Sequence, residues 1–133
     1  MEQEYRRSQT TVSLINYHFI FCPRYRRKIF KNGKVEQRFK EIVHEVCEEL
    51  DINILALECH NDHTHMFLNV LPQLSPSQIM AKIKGVSSRK LRQEFKHLKH
   101  LPSLWTRSFF VSTAGNVSSD TIKMYIEEQK TRG

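Results

Sequence analysis

Cysteine is scarce in this chain, with three in 133 residues, and no two of them form a C-x-x-C pair. An odd count without that spacing excludes a disulfide framework and argues against a zinc knuckle. Long apolar runs are missing as well. No segment approaches the roughly 20 apolar residues of a membrane span, and Met1 to Arg7 lacks the apolar stretch of a signal peptide. These absences predict a soluble protein of a reducing compartment that takes no membrane partner. Glycine and proline number four each, and they form no linker or low-complexity tract. One domain spanning residues 1–133 is the natural count for this length. Acid is the minority charge, 14 Asp and Glu against 21 Lys and Arg. The resulting net charge of +7 favours a polyanionic partner.

Hydrophobic periodicity alternates between strand and helix. Ser13 to Cys22 places Tyr17, Phe19 and Phe21 on one side and His18 and Ile20 on the other, which predicts a strand. Val35 to Leu50 carries an apolar stripe with glutamates mostly off it, an amphipathic helix with an acidic outer face. Ile52 to Glu58 and His63 to Val70 read as strands. Ser75 followed by Pro76 suits the cap and first position of a second helix running toward Phe95. Leu104 to Thr113 reads as a fourth strand. Ser118, Ser119 and Asp120 can cap a last helix carrying both Tyr125 and Gln129. The order β-α-β-β-α-β with one more helix predicts an α+β fold. It is a ferredoxin-like (RRM-like) split βαβ sandwich, a four-stranded antiparallel sheet with helices on one face.

The third predicted strand separates its faces cleanly. Thr64, Met66, Leu68 and Val70 suit the helix-covered side, leaving His63, His65, Phe67 and Asn69 on the open side. Two imidazoles at strand spacing, with His60 and Asp62 just upstream, form a candidate metal site. Without a nearby second thiolate a closed structural zinc site is disfavoured, and Cys59 is only a weak competing ligand. An open site of imidazoles and an amide leaves room for water and a phosphate oxygen, which suits Mg²⁺ or Mn²⁺. On the last helix, Ile122, Tyr125, Ile126 and Gln129 share one stripe, so a phenol and an amide point inward among isoleucines. Two imidazoles and an amide as ligands, with a phenol as nucleophile, are parts that suit covalent phosphodiester cleavage.

Thirteen of the 21 cationic residues fall in two segments, residues 24–34 and 82–99. The first contains Arg24, Arg26, Arg27 and Lys28 beside Tyr25 and Phe30, aromatic rings suited to stacking on unpaired bases. The second contains Lys84 and Arg89, with Ser87 and Ser88 as candidate phosphate donors. Such sidedness favours a nucleic-acid track.

Five fragments in this order resemble one family. They are residues 23–28 (Pro-Arg-Tyr-Arg-Arg-Lys), 62–65 (Asp-His-Thr-His), 83–88 (Ile-Lys-Gly-Val-Ser-Ser), 104–111 (Leu-Trp-Thr-Arg-Ser-Phe-Phe-Val) and 125–129 (Tyr-Ile-Glu-Glu-Gln). The chain resembles the single-tyrosine HUH transposases of small bacterial and archaeal insertion sequences from about Leu14 to Gln129. The resemblance implies that His63, His65 and Gln129 are metal ligands and that Tyr125 is the nucleophile. It implies a homodimer acting on single-stranded DNA with hairpin ends, through a 5′-phosphotyrosine intermediate, and a cytoplasmic, nucleoid-associated location. Thr64 departs from the bulky apolar residue usual between the two histidines; it faces the core, so the departure should cost packing and spare the ligands. Two other classes share parts of the pattern: a non-catalytic RNA- or single-strand-binding module, and a relaxase-like or replication-initiator nickase.

Overall fold

The structure is a computed structural model and describes residues 5–113 and 119–132. A short hairpin, β1 (Arg6–Arg7) with β2 (Val12–Ser13), precedes β3 (Ile15–Phe21). Then follow α1 (Gly33–Glu49), β4 (Asn53–His60), β5 (His63–Val70), α2 (Pro76–Glu94), β6 (Phe110–Ser112) and α3 (Ser119–Glu128). The main sheet is antiparallel in the order β4-β5-β3-β6. The protein is thus α+β, built on a four-stranded antiparallel sheet.

Side-chain caps start both long helices. Asn32 caps α1, its side-chain oxygen accepting from Lys34 N and Val35 N. Ser75 and Gln78 form a capping box at the start of α2, with Pro76 at its first position. Phe19 and Phe21 turn to one side of β3, where they join Phe39, Ile42 and Val43 of α1, Met66 and Leu68 of β5, and Ile79 and Ile83 of α2 in a single core. Thr64 lies fully buried on that same side. Its hydroxyl donates to Glu58 O at 3.1 Å, so the polar residue between the histidines keeps a partner inside the core.

Two expectations need correction. The predicted strand at Leu104 to Thr113 is regular only over Phe110–Ser112. Leu104 and Trp105 turn inward instead, and Trp105 packs edge-on against Phe21 at 4.9 Å. The backbone groups this frees are satisfied from elsewhere: Thr106 N donates to Cys22 O, and Lys84 Nζ donates to Thr106 O and Ser108 O at 2.6 and 3.0 Å. The last helix ends at Glu128, so Gln129 opens a short 3₁₀ turn, Gln129–Thr131. Ser118, an expected capping residue, lies outside the described residues. The β1–β2 hairpin had no counterpart in the sequence reading; its strands are too short to show a period.

Candidate active site

The β4–β5 turn builds the histidine cluster. His60 and His63 are directly paired across the two-residue turn Asn61–Asp62. Residues opposed across an antiparallel ladder share a face, and period two adds His65. Three imidazoles therefore converge, with one candidate ligand atom from each lying within 4.8 Å of the others. The His60 and His63 rings stack at 4.5 Å, and His65 meets His63 edge-on at 5.0 Å. His18, on the neighbouring β3, stands behind them with its Nε2 at 3.4 Å from His65 Nδ1.

Burial favours the neutral form of His18, His63 and His65. Burial, followed by the neighbouring imidazoles, pushes His65 down to about 4. Burial also lowers His63 and His18, against the pull of Asp62 on His63. Asp62 Oδ1 lies 2.9 Å from His63 Nδ1, which holds the proton there and leaves Nε2 with the lone pair of the neutral ring. Burial opposes the ionised form of Asp62, but hydrogen bonds from His63 and Arg26 prevail and hold it below the usual carboxylate range. A carboxylate behind a ligating imidazole is the common support of a protein metal site, and neutral imidazoles with free nitrogens are competent ligands. The donor set fits a divalent cation.

The tyrosine and glutamine are tied to Ser108. Tyr125, on α3, tilts against Phe110 at 5.9 Å, and Phe110 in turn contacts His18 at 6.5 Å. Ring contacts thus run from Tyr125 through Phe110 and His18 to His65. Ser108 Oγ is 3.2 Å from the Tyr125 hydroxyl and 2.9 Å from Gln129 Oε1. Gln129 is buried, and its Nε2 donates to Tyr125 O at 3.2 Å. The amide therefore spends both ends within this pocket and not on the histidines. Burial pushes the Tyr125 phenol up to about 12.

The basic segments are redistributed. Ser87 is fully buried, donating to Ile83 O at 2.6 Å and accepting from the Trp105 indole at 3.0 Å. Ser88 is buried and accepts from Leu104 N. Lys84 is committed to two carbonyls. None of these three is placed for the phosphate contact expected of it, because residues 104–108 fold over the inner face of α2. Phe30, one of the two expected stacking rings, is buried between Phe39 and Trp105. Lys82 and Lys90 lie beside Glu49 and Glu45 of α1. Arg24 Nε donates to Trp105 O at 3.3 Å, and Arg26 is gripped by Asp62 and Glu127. Tyr25, Arg27, Lys28 and Arg89 remain exposed, with the Arg27 guanidinium 5.3 Å from the centre of the Tyr25 ring. Cys59 points away from the imidazoles, toward Thr64 at 3.6 Å, and burial raises its thiol to about 11. His60 and His18 were the contributors that sequence reasoning did not assign. Extending β4 to the two-residue turn would have found the first. The second was legible as the polar alternate between Phe19 and Tyr17.

The chain is similar to known proteins over most of its length. Residues 11–129 match the model of the IS200-like transposases. A transposase for insertion sequence element IS200 from Salmonella typhimurium is 37% identical over 120 residues, covering 86% of this chain and 78% of that protein. The ISDra2 transposase from Deinococcus radiodurans is 26% identical, covering 95% of this chain and 91% of that protein. Among solved structures, a proposed transposase from Deinococcus radiodurans superposes with a TM-score of 0.85 at 28% identity, over 93% of this chain and 97% of that one. A REP-associated tyrosine transposase bound to a REP hairpin shares the fold at a TM-score of 0.51 and 17% identity, over 95% of this chain and 69% of that one. The chain belongs to the IS200-like transposase family.

Proposed function

We propose that this transposase cleaves and rejoins single-stranded DNA at hairpin-marked ends through a covalent bond to Tyr125. The observation that carries this reading is the convergence of His60, His63 and His65, braced by Asp62, on a sheet face next to a tyrosine-bearing helix. Family membership and the hairpin bound by the REP-associated relative support the substrate class. The strand order β4-β5-β3-β6 supports a ferredoxin-like assignment of the sheet and its two helices.

His63 and His65 would hold a divalent cation, with His60 or Gln129 completing the set. Imidazole donors favour Mn²⁺ over Mg²⁺. When bound, the ion supplies positive charge beside the scissile phosphate. The Tyr125 oxygen bonds to phosphorus as the bond from phosphorus to the 3′ oxygen breaks. The products are a 5′-phosphotyrosine and a 3′-OH that takes up the proton. A second 3′-OH attacking the phosphotyrosine reverses the step and joins new ends, with no need for ATP.

The engagement of the Tyr125 hydroxyl and the Gln129 amide with Ser108 and the Tyr125 carbonyl supports a site completed by movement of α3, within one subunit or across a homodimer. Tyr25, Arg27, Lys28 and Arg89 are the exposed groups suited to hold the strand. The test is incubation with single-stranded hairpin DNA and Mn²⁺, followed by denaturing electrophoresis. A covalent adduct is expected from the intact protein and none from Tyr125→Phe; no adduct from either would reject the reading.

A further inference from the structure

Arg26 makes a connection that neither the family match nor the sequence assigned to it. Its Nε and one terminal nitrogen grip Asp62 Oδ2 at 3.0 and 2.9 Å, while the other terminal nitrogen reaches Glu127 Oε2 at 3.1 Å. Asp62 is the carboxylate behind His63, and Glu127 lies on α3 two residues beyond Tyr125. One guanidinium thus joins the histidine turn, 36 residues from Arg26 in sequence, to the tyrosine helix, 101 residues from it.

The backbone beneath it is held in an unusual shape. Tyr25 and Arg26 both have positive φ, 56° and 51°, although neither is glycine. Such conformations cost of order 1 kcal/mol or more each and persist where surroundings impose them. Here Arg24 N donates to Leu104 O, and Tyr25 N donates to Arg132 O at 2.7 Å, so the turn is pinned to the segment before β6 and to the C-terminal end. The left-handed pair aims the Arg26 side chain between the two carboxylates. A guanidinium offers the fork that fits two carboxylates at once; an ammonium of the same charge does not.

We infer that Arg26 is a positioning residue: through Asp62 it orients His63, and through Glu127 it holds α3 in register with the histidine cluster. This rests on the proposed metal role of His63, and it moves Arg26 from the DNA-contact group to the interior of the site.

Mn²⁺ titration by calorimetry on the full chain without DNA, together with hydrogen exchange of the α3 amides, tests it. Arg26→Gln should weaken Mn²⁺ binding by about tenfold, the lower end for outer-shell partners of a metal site. Arg26→Lys should fail to restore it. Glu127→Gln should leave Mn²⁺ affinity unchanged and speed exchange in α3, separating the two arms. If Arg26→Gln or Arg26→Lys binds Mn²⁺ as tightly as the parent while losing DNA affinity, Arg26 is a phosphate contact and the coupling is wrong. If Arg26→Gln proves unfolded, Arg26→Lys and Glu127→Gln carry the same comparisons. Failure of the parent chain to bind Mn²⁺ would reject the metal reading itself. Coupling to α3 then stands if Arg26→Lys and Glu127→Gln both speed its exchange, and falls if neither does.

Discussion

Tyr125 donates its hydroxyl proton to Ser108. The Ser108 hydroxyl has one proton, and Gln129 Oε1, which can only accept, lies 2.9 Å away and takes it. At 3.2 Å the Ser108 oxygen is left to accept from the phenol. A phenolate keeps that contact only if the Ser108 hydroxyl turns from Gln129 to donate to it. Tyr125 as placed is therefore protonated, and the step that activates it must either turn Ser108 from Gln129 or part Tyr125 from Ser108.

Tyr125→Phe should abolish the covalent adduct while costing only about 0.5–1.5 kcal/mol of stability, the worth of one hydrogen bond. Ser108→Ala should cost more, about 1–3 kcal/mol, because the buried Gln129 oxygen loses its donor. Denaturant melts rank the two variants, and a reversed order would contradict the proton assignment.

His63→Ala and His65→Ala should each remove Mn²⁺ binding and metal-dependent cleavage. The third ligand is decided by comparing His60→Ala with Gln129→Ala in calorimetry without DNA. With α3 placed as described, His60→Ala should be the more damaging. Full activity in excess chelator would dismiss all four assignments.

Lys84 offers a pH signature independent of the histidines. Burial pushes its ammonium from the ordinary 10.5 down to about 8. Between those values the unfolded chain binds more protons, so this group's contribution to stability is present above about pH 10.5 and lost as pH falls through about 8. Subtracting the stability profile of Lys84→Met from that of the parent should expose a positive slope between pH 8 and 10. A flat difference would mean that the Thr106 and Ser108 carbonyls hold the charge fully.

Salt dependence locates the DNA path. Removing Arg27 and Lys28 together should flatten the slope of log affinity against log salt by about 0.7 per lost contact with a single strand. Lys84→Met should leave that slope unchanged, because its ammonium is spent inside the protein. Equal slopes for the Arg27 and Lys28 double variant and the parent would put the strand on another surface.

Mixing Tyr125→Phe subunits with His63→Ala subunits tests a shared site. If α3 of one subunit completes the histidine cluster of another, heterodimers regain one intact site and cleavage returns. Mixtures with proven subunit exchange and no activity above either parent would favour completion within one subunit. A monomer by sedimentation at working concentration would exclude the dimer.

Much of this was legible along the chain because it depends on near neighbours. Period two sets His63 and His65 against Met66 and Leu68, and Asn32 and Ser75 cap helices from three residues away or less. The amphipathic stripe of α1 follows from its own spacing. What a side chain meets across the fold has no such local signal. Ser87, Ser88 and Lys84 look like a phosphate-binding run until Trp105 and the 104–108 backbone close over them. Arg26 looks like one cation among six until Asp62 and Glu127 arrive from distant segments. His60 joins the cluster only through the β4–β5 register. The sequence by itself determined which residues face which side of each element and which chemical groups are present. Only the tertiary structure decided which of those groups are spent on one another, because a buried donor or acceptor must find a partner wherever packing brings one.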